Sequence, residues 1–134
     1  MPTVPSGRRI LVVDDEVAVA DSLQLILSRR GFEVRAVYSA EDAIEVLAEW
    51  EPDLAMIDVM LPKMNGIELA GILEGNYPAC RLLLISGHPA TAELLSDAKS
   101  HGHSFDILAK PLHPTFILDT VSDLLPRNRD SADA

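Results

Sequence analysis

The chain has 134 residues, with 11 Lys and Arg against 21 Asp and Glu, a formal charge of −10 and a sequence pI near 4.6. That length fits one domain, and the acidity argues against a nonspecific nucleic-acid binder, which needs a basic stripe to neutralise phosphates. Apolar residues make up 48% and only six side chains are aromatic (Phe32, Tyr38, Trp50, Tyr77, Phe105, Phe116), so a core of Leu, Ile, Val and Ala is expected.

Arg9–Val13 (RILVV) is a short continuous apolar run, as expected of a strand buried on both faces. Val19, Leu23, Ile26 and Leu27 then recur at helical spacing, and Gly31 is placed to end that helix in the left-handed conformation. Glu33–Val37 (EVRAV) predicts a second, partly polar strand. Ser39 predicts the cap of a helix running through Trp50, with Asp42 as an acidic variant of the capping box, and Pro52 stops it. Leu54–Ile57 (LAMI) predicts a third strand ending at Asp58, and a loop with Pro62 and Asn65-Gly66 leads to a helix near Ile67–Glu74. Arg81–Ile85 (RLLLI) is the fourth predicted strand, followed by a helix around Thr91–Ser100. Phe105–Ala109 is a short fifth strand, and Thr115–Leu125 a closing helix with Ile117, Val121 and Leu124 on one face.

Five strand-then-helix units imply a doubly wound α/β fold, a flavodoxin-like (βα)5 sandwich with parallel strands in the order 2-1-3-4-5 and helices on both faces. Residues 8–125 form the expected domain, between flexible tails 1–7 and 126–134. Cys80, the single cysteine, has no intrachain partner and is expected to behave as a small apolar residue. There is no signal-peptide pattern, and the apolar runs fall short of the ~18 residues of a membrane span. A soluble, cytoplasmic protein is expected.

Charge is unevenly placed. Residues 1–37 hold five basic and five acidic side chains, residues 38–79 hold Lys63 against nine acids, and residues 80–134 hold five against seven. Most of these carboxylates fit a solvated surface. A smaller set stands just after strands: Asp14 and Asp15 after the first, Asp58 at the end of the third, Ser86 after the fourth and Lys110 after the fifth. In open α/β sheets ligands bind at the carboxyl ends of the strands, where the strand order reverses, which is between strands one and three in this order. Three carboxylates at that point repel one another and call for a cation; oxygen donors without Cys or His suit a hard ion such as Mg²⁺. A carboxylate beside Mg²⁺, a lysine and a hydroxyl can receive a phosphoryl group by in-line attack, and Gly87 leaves room beside Ser86.

VVDDE (12–16), DVMLPKMNG (58–66), LLISG (83–87) and DILAKP (106–111) together resemble the receiver domain of two-component response regulators, the CheY-like family, over about residues 8 to 125. The resemblance implies that Asp58 is the phosphoacceptor and that Asp14, Asp15, Asp58 and the Met60 carbonyl hold Mg²⁺, Asp15 directly and Asp14 partly through water. It further implies that Lys110 pairs with Asp58 or its phosphoryl group, that Ser86 is the switch hydroxyl, and that the peptide bond from Lys110 to Pro111 is often cis. The donor would be a sensor histidine kinase or phosphotransfer protein, and the output an altered interaction with a downstream protein, with a phosphorylation-dependent homodimer as a further partner. No contact with membrane or nucleic acid and no enzymatic activity beyond self-catalysed phosphotransfer and autodephosphorylation are expected. One departure stands out: the family usually places Tyr, Phe or His three residues before the lysine, where this chain has Ile107. A stiff β-branched side chain has no ring to swing, so the readout at that face is expected to differ.

Two other readings fit parts of the pattern. An adaptor that keeps the fold but signals without phosphate draws on Ile107. A Mg²⁺-dependent aspartyl-phosphate hydrolase of the haloacid-dehalogenase type would need D-x-D-x-T after the first strand, where this chain has D-D-E-V-A. His101 and His103 match no usual zinc spacing. His88 and Met60 are placed to line the site mouth, and Phe116, Ile117 and Val121 are expected in the core.

Overall fold

The computed structural model describes residues 8–87, 106–110 and 113–125. The elements are β1 (Arg9–Val13), α1 (Val17–Ser28), β2 (Glu33–Val37), α2 (Ala40–Leu47), β3 (Leu54–Asp58), α3 (Gly66–Asn76), β4 (Arg81–Ser86), β5 (Asp106–Ala109) and α4 (Pro114–Leu124). The strands form one five-stranded sheet, all pairs parallel, in the order β2-β1-β3-β4-β5. The predicted helix at 91–100, the tails 1–7 and 126–134, Phe105, Pro111 and His88, His101 and His103 lie outside the described residues.

The continuous apolar strands are explained by their two covered faces. Because strand side chains alternate, Leu11, Val13, Ala55, Ile57 and Leu84 face Ala43, Leu47, Leu69 and Leu73 of α2 and α3. Ile10, Val12, Met56, Leu83 and Ile85 face Leu23 and Leu27 of α1 and Ile117 and Val121 of α4. All five residues of β3 are buried, and each fully buried Ile, Leu or Met of this kind contributes roughly 1.5–3 kcal/mol through burial. The short side chains of the predicted aliphatic core thus fill both layers.

Helix ends follow local chemistry. Ser39 Oγ accepts from the Asp42 N–H at 3.0 Å, as the capping reading expects, but α2 ends at Leu47 rather than running through Trp50. Trp50 is buried beyond that end, where its indole N–H donates to Glu33 at 3.0 Å and its ring faces the guanidinium groups of Arg9 and Arg35. A complete capping box occurs instead at the turn Asn65-Gly66: Asn65 Oδ1 accepts from the Glu68 N–H and Glu68 Oε1 from the Asn65 N–H, both at 2.9 Å. Gly31 adopts φ 95°, as placed, three residues beyond the end of α1. Phe116 corrects an expectation: it is exposed, while Ile117 and Val121 are buried. Residues four apart share a helix face, and Phe116 sits about 100° around from Ile117, on the outer side.

Candidate functional site

The sheet register brings the acidic residues together. Val13 pairs with Ile57, so Asp14 and Asp58, the next residue on each chain segment, emerge side by side at the carboxyl ends of β1 and β3. Asp58 pairs with Ile85 and Ser86 with Ala109, which sets Ser86 and Lys110 one step further along the same edge. Asp14 and Asp58 are the buried charged residues among those described, and this is the reversal point of the strand order.

Each carboxylate has one oxygen committed to the backbone and one turned to the lysine. Asp14 Oδ1 accepts from the Glu16 N–H and Asp58 Oδ1 from the Met60 N–H, both at 2.9 Å. Lys110 Nζ lies 3.0 Å from Asp58 Oδ2, 3.3 Å from Asp14 Oδ2 and 2.8 Å from Glu16 Oε1. The Asp14 Oδ2 atom is fully buried and has no hydrogen bond of its own. Burial pushes the Asp14 carboxyl up from 3.8 to about 6, and the charge of Asp58 adds to this while the Glu16 N–H and Lys110 oppose it. Partial burial pulls the Lys110 pKa down, but hydrogen bonds to Glu16 and Asp58 and the charges of Asp58 and Asp14 outweigh it. The ammonium is therefore held above its ordinary value.

Carboxylate oxygens of Asp14, Glu16 and Asp58 lie within 4.8 Å of one another and could hold a metal ion. The buried Asp14 Oδ2, which has no hydrogen bond and shares the Lys110 ammonium with two other carboxylates, fits that role, since a buried anionic oxygen is costly unless enough positive charge meets it. Asp15 is exposed and is not one of the three. Glu16, to which the sequence pattern assigns no role, is the third carboxylate of the cluster, and it is already engaged by Lys110 at 2.8 Å. The Met60 side chain is exposed beside Asp58, and half-buried Ser86 accepts the Lys110 backbone N–H on its carbonyl at 2.9 Å.

Two glycines keep this edge open. A Cβ on Gly66 would strike the Asp58 carbonyl and come within 2.9 Å of Ile57 Cγ2, so the start of α3 can approach the end of β3 only without a side chain. A Cβ on Gly87 would come within 2.8 Å of Lys110 Cδ, so Gly87 gives passage to the lysine stem. The room expected at Gly87 is thus occupied by Lys110. Elsewhere, buried Cys80 has its thiol pushed up to about 12 by desolvation, in keeping with an inert apolar role. Among the described residues no helix is long and apolar enough to cross a membrane.

Known proteins share this sequence pattern and architecture. DNA-binding response regulator MtrA of Mycolicibacterium paratuberculosis is 30% identical over 123 residues, which cover 92% of this chain and 53% of that protein. The chain therefore spans about half the length of the curated relatives it matches. The signal receiver domain of an HD domain-containing protein from Pseudomonas fluorescens Pf-5 superposes with a TM-score of 0.81 at 28% identity, covering 89% of this chain and 94% of that one. Response regulator protein TrrA from Thermotoga maritima, solved in complex with Mg(2+)-BeF, gives 0.74 at 26% identity, covering 88% and 99%. The response regulator receiver domain family matches residues 10–122, from the second residue of β1 into α4, and it is to this family that the chain belongs.

Proposed function

We propose that the chain is the receiver module of a two-component phosphorelay, accepting a phosphoryl group on Asp58 from a histidine kinase or phosphotransfer protein. The observation that carries this reading is the Lys110 ammonium lying 3.0 Å from Asp58 Oδ2 and 3.3 Å from the buried Asp14 Oδ2, which has no hydrogen bond. An ionised Asp58 needs no separate base: one carboxylate oxygen forms the bond to phosphorus as the bond from phosphorus to the donor's nitrogen or oxygen breaks. Lys110 stays cationic and neutralises charge on the phosphoryl oxygens. Ser86, one residue past the pairing partner of Asp58, would donate its hydroxyl to one of them.

Asp14, Asp58, the neighbouring Asp15 and the Met60 carbonyl would hold Mg²⁺, which when bound supplies positive charge to the carboxylates and the incoming phosphoryl oxygens. Turnover is confined to self-catalysed phosphotransfer and hydrolysis of the aspartyl phosphate. Output runs through altered protein–protein contact, and no membrane or nucleic-acid contact is part of this reading. Incubation with acetyl phosphate and Mg²⁺ is expected to add one phosphoryl group to the intact mass of the wild type and none to Asp58→Asn; an unchanged wild-type mass refutes the proposal. A second reading, an adaptor that signals without phosphate, draws support from Ile107, which is 48% exposed where the family usually has a ring. Equal affinity of a downstream partner for unphosphorylated, phosphorylated and Asp58→Asn protein would favour it.

A further inference from the structure

α1 starts behind Glu16, whose backbone is extended (φ −83°, ψ 101°) and whose side chain makes no cap hydrogen bond. An acidic side chain here would ordinarily turn to the unsatisfied N–H groups of its own helix, where the dipole also favours negative charge. Glu16 instead reaches to the end of β5 and accepts from Lys110 Nζ at 2.8 Å, closer than the 3.0 Å from that ammonium to Asp58. The lysine can lie there because Gly87 leaves its stem a path and the Ser86 carbonyl anchors its backbone N–H. One ammonium is thus divided between two buried carboxylates on rigid strands and one exposed carboxylate at the rim.

We propose that Glu16 is a positioning residue that restrains Lys110 and so opposes the phosphorylated form. This rests on the reading of Asp58 as phosphoacceptor. Lys110 has three N–H donors, two of them engaged by Glu16 and Asp58, with Asp14 3.3 Å away. A phosphoryl group on Asp58 brings new anionic oxygens that need the ammonium closer to β3. Asp14 and Asp58 are fixed by the sheet, so the partner released is Glu16, whose side chain is 62% exposed. An exposed ion pair is weak, which makes Glu16 a several-fold brake rather than a block.

The test is titration of beryllofluoride with Mg²⁺, as a phosphoryl probe, into wild type, Glu16→Gln and Glu16→Asp by calorimetry. Glu16→Gln removes the charge; Glu16→Asp keeps it but is one methylene short of Lys110. Both variants are expected to bind the probe about two- to fivefold more tightly than wild type. Wild-type affinity in Glu16→Asp alongside a gain in Glu16→Gln would overturn the proposal, because net charge and not the grip on Lys110 would then be the cause. Equal or weaker binding by both variants would also overturn it. A wild type that takes no probe sinks the phosphoacceptor reading, and the restraint with it, whereas a wild type that binds while the variants fail to gain sinks the restraint alone. Melting of each free protein checks folding independently of the probe.

Discussion

Asp14→Asn is predicted to stabilise the metal-free protein. The Asp14 carboxyl is fully buried with its pKa raised from 3.8 to about 6, chiefly by desolvation. One pKa unit corresponds to about 1.4 kcal/mol, so the ionised carboxylate costs the folded state up to about 3 kcal/mol. Asn keeps the Oδ1 acceptor for the Glu16 N–H but turns an amide toward Lys110, which brings the expected gain to about 1–3 kcal/mol. The sign follows from linkage. Below the unfolded pKa the acid is protonated in both states and costs nothing; as pH rises from about 3.8 to about 6 the unfolded state releases a proton that the folded state still holds, so stability is lost, and above about 6 the loss is complete. Urea unfolding of both proteins with a chelator present should therefore show a gap in midpoint that is full near pH 7.5 and closed near pH 3.5. Saturating Mg²⁺ should narrow the gap at neutral pH by stabilising the wild type. A variant no more stable than wild type at neutral pH, or a gain undiminished in acid, would refute this electrostatic account of the site.

Two backbone predictions test how the site is framed. Gly66→Ala places a Cβ against the Asp58 carbonyl and Ile57 Cγ2, so it should destabilise by about 2–4 kcal/mol in urea titration and slow phosphorylation by acetyl phosphate; a neutral effect on both would contradict the packing described. Lys63 holds φ 62° in the loop between β3 and α3, a conformation costing an L-residue about 1–2 kcal/mol. Lys63→Gly should raise stability by about 0.5–1 kcal/mol and Lys63→Val should lower it, and the opposite ranking in thermal melts would show that the loop relaxes.

Much of this architecture was legible because its signals are local. RILVV and LAMI declare buried strands by unbroken apolar character, and Asp14, Asp58, Ser86 and Lys110 declare a site by standing just past strand ends. What escaped depends on contacts far apart in sequence. Glu16 looks like one more acid at a helix start, and only the approach of Lys110 from 94 residues away gives it a partner. Asn65-Gly66 reads as a turn, yet the glycine is required by the proximity of α3 to the Asp58 carbonyl. Trp50 suggests a longer α2 because it is apolar and Pro52 follows it; past Leu47 it joins the core as a loop residue, held by Glu33, Arg9 and Arg35 on the neighbouring strands. Phe116 reads as a core residue from its hydrophobicity, but Ile117 and Val121, four apart, define the buried face and leave it outside.

The most direct measurement on the central claim is reductive trapping of the acyl phosphate with borohydride after treatment with acetyl phosphate and Mg²⁺, followed by peptide mapping. Reduction of an aspartyl phosphate converts that residue to homoserine, so the label should appear at position 58 alone and vanish when Mg²⁺ is chelated. Label at another residue, or none on a protein that remains folded, would contradict the assignment of Asp58 as the phosphoacceptor.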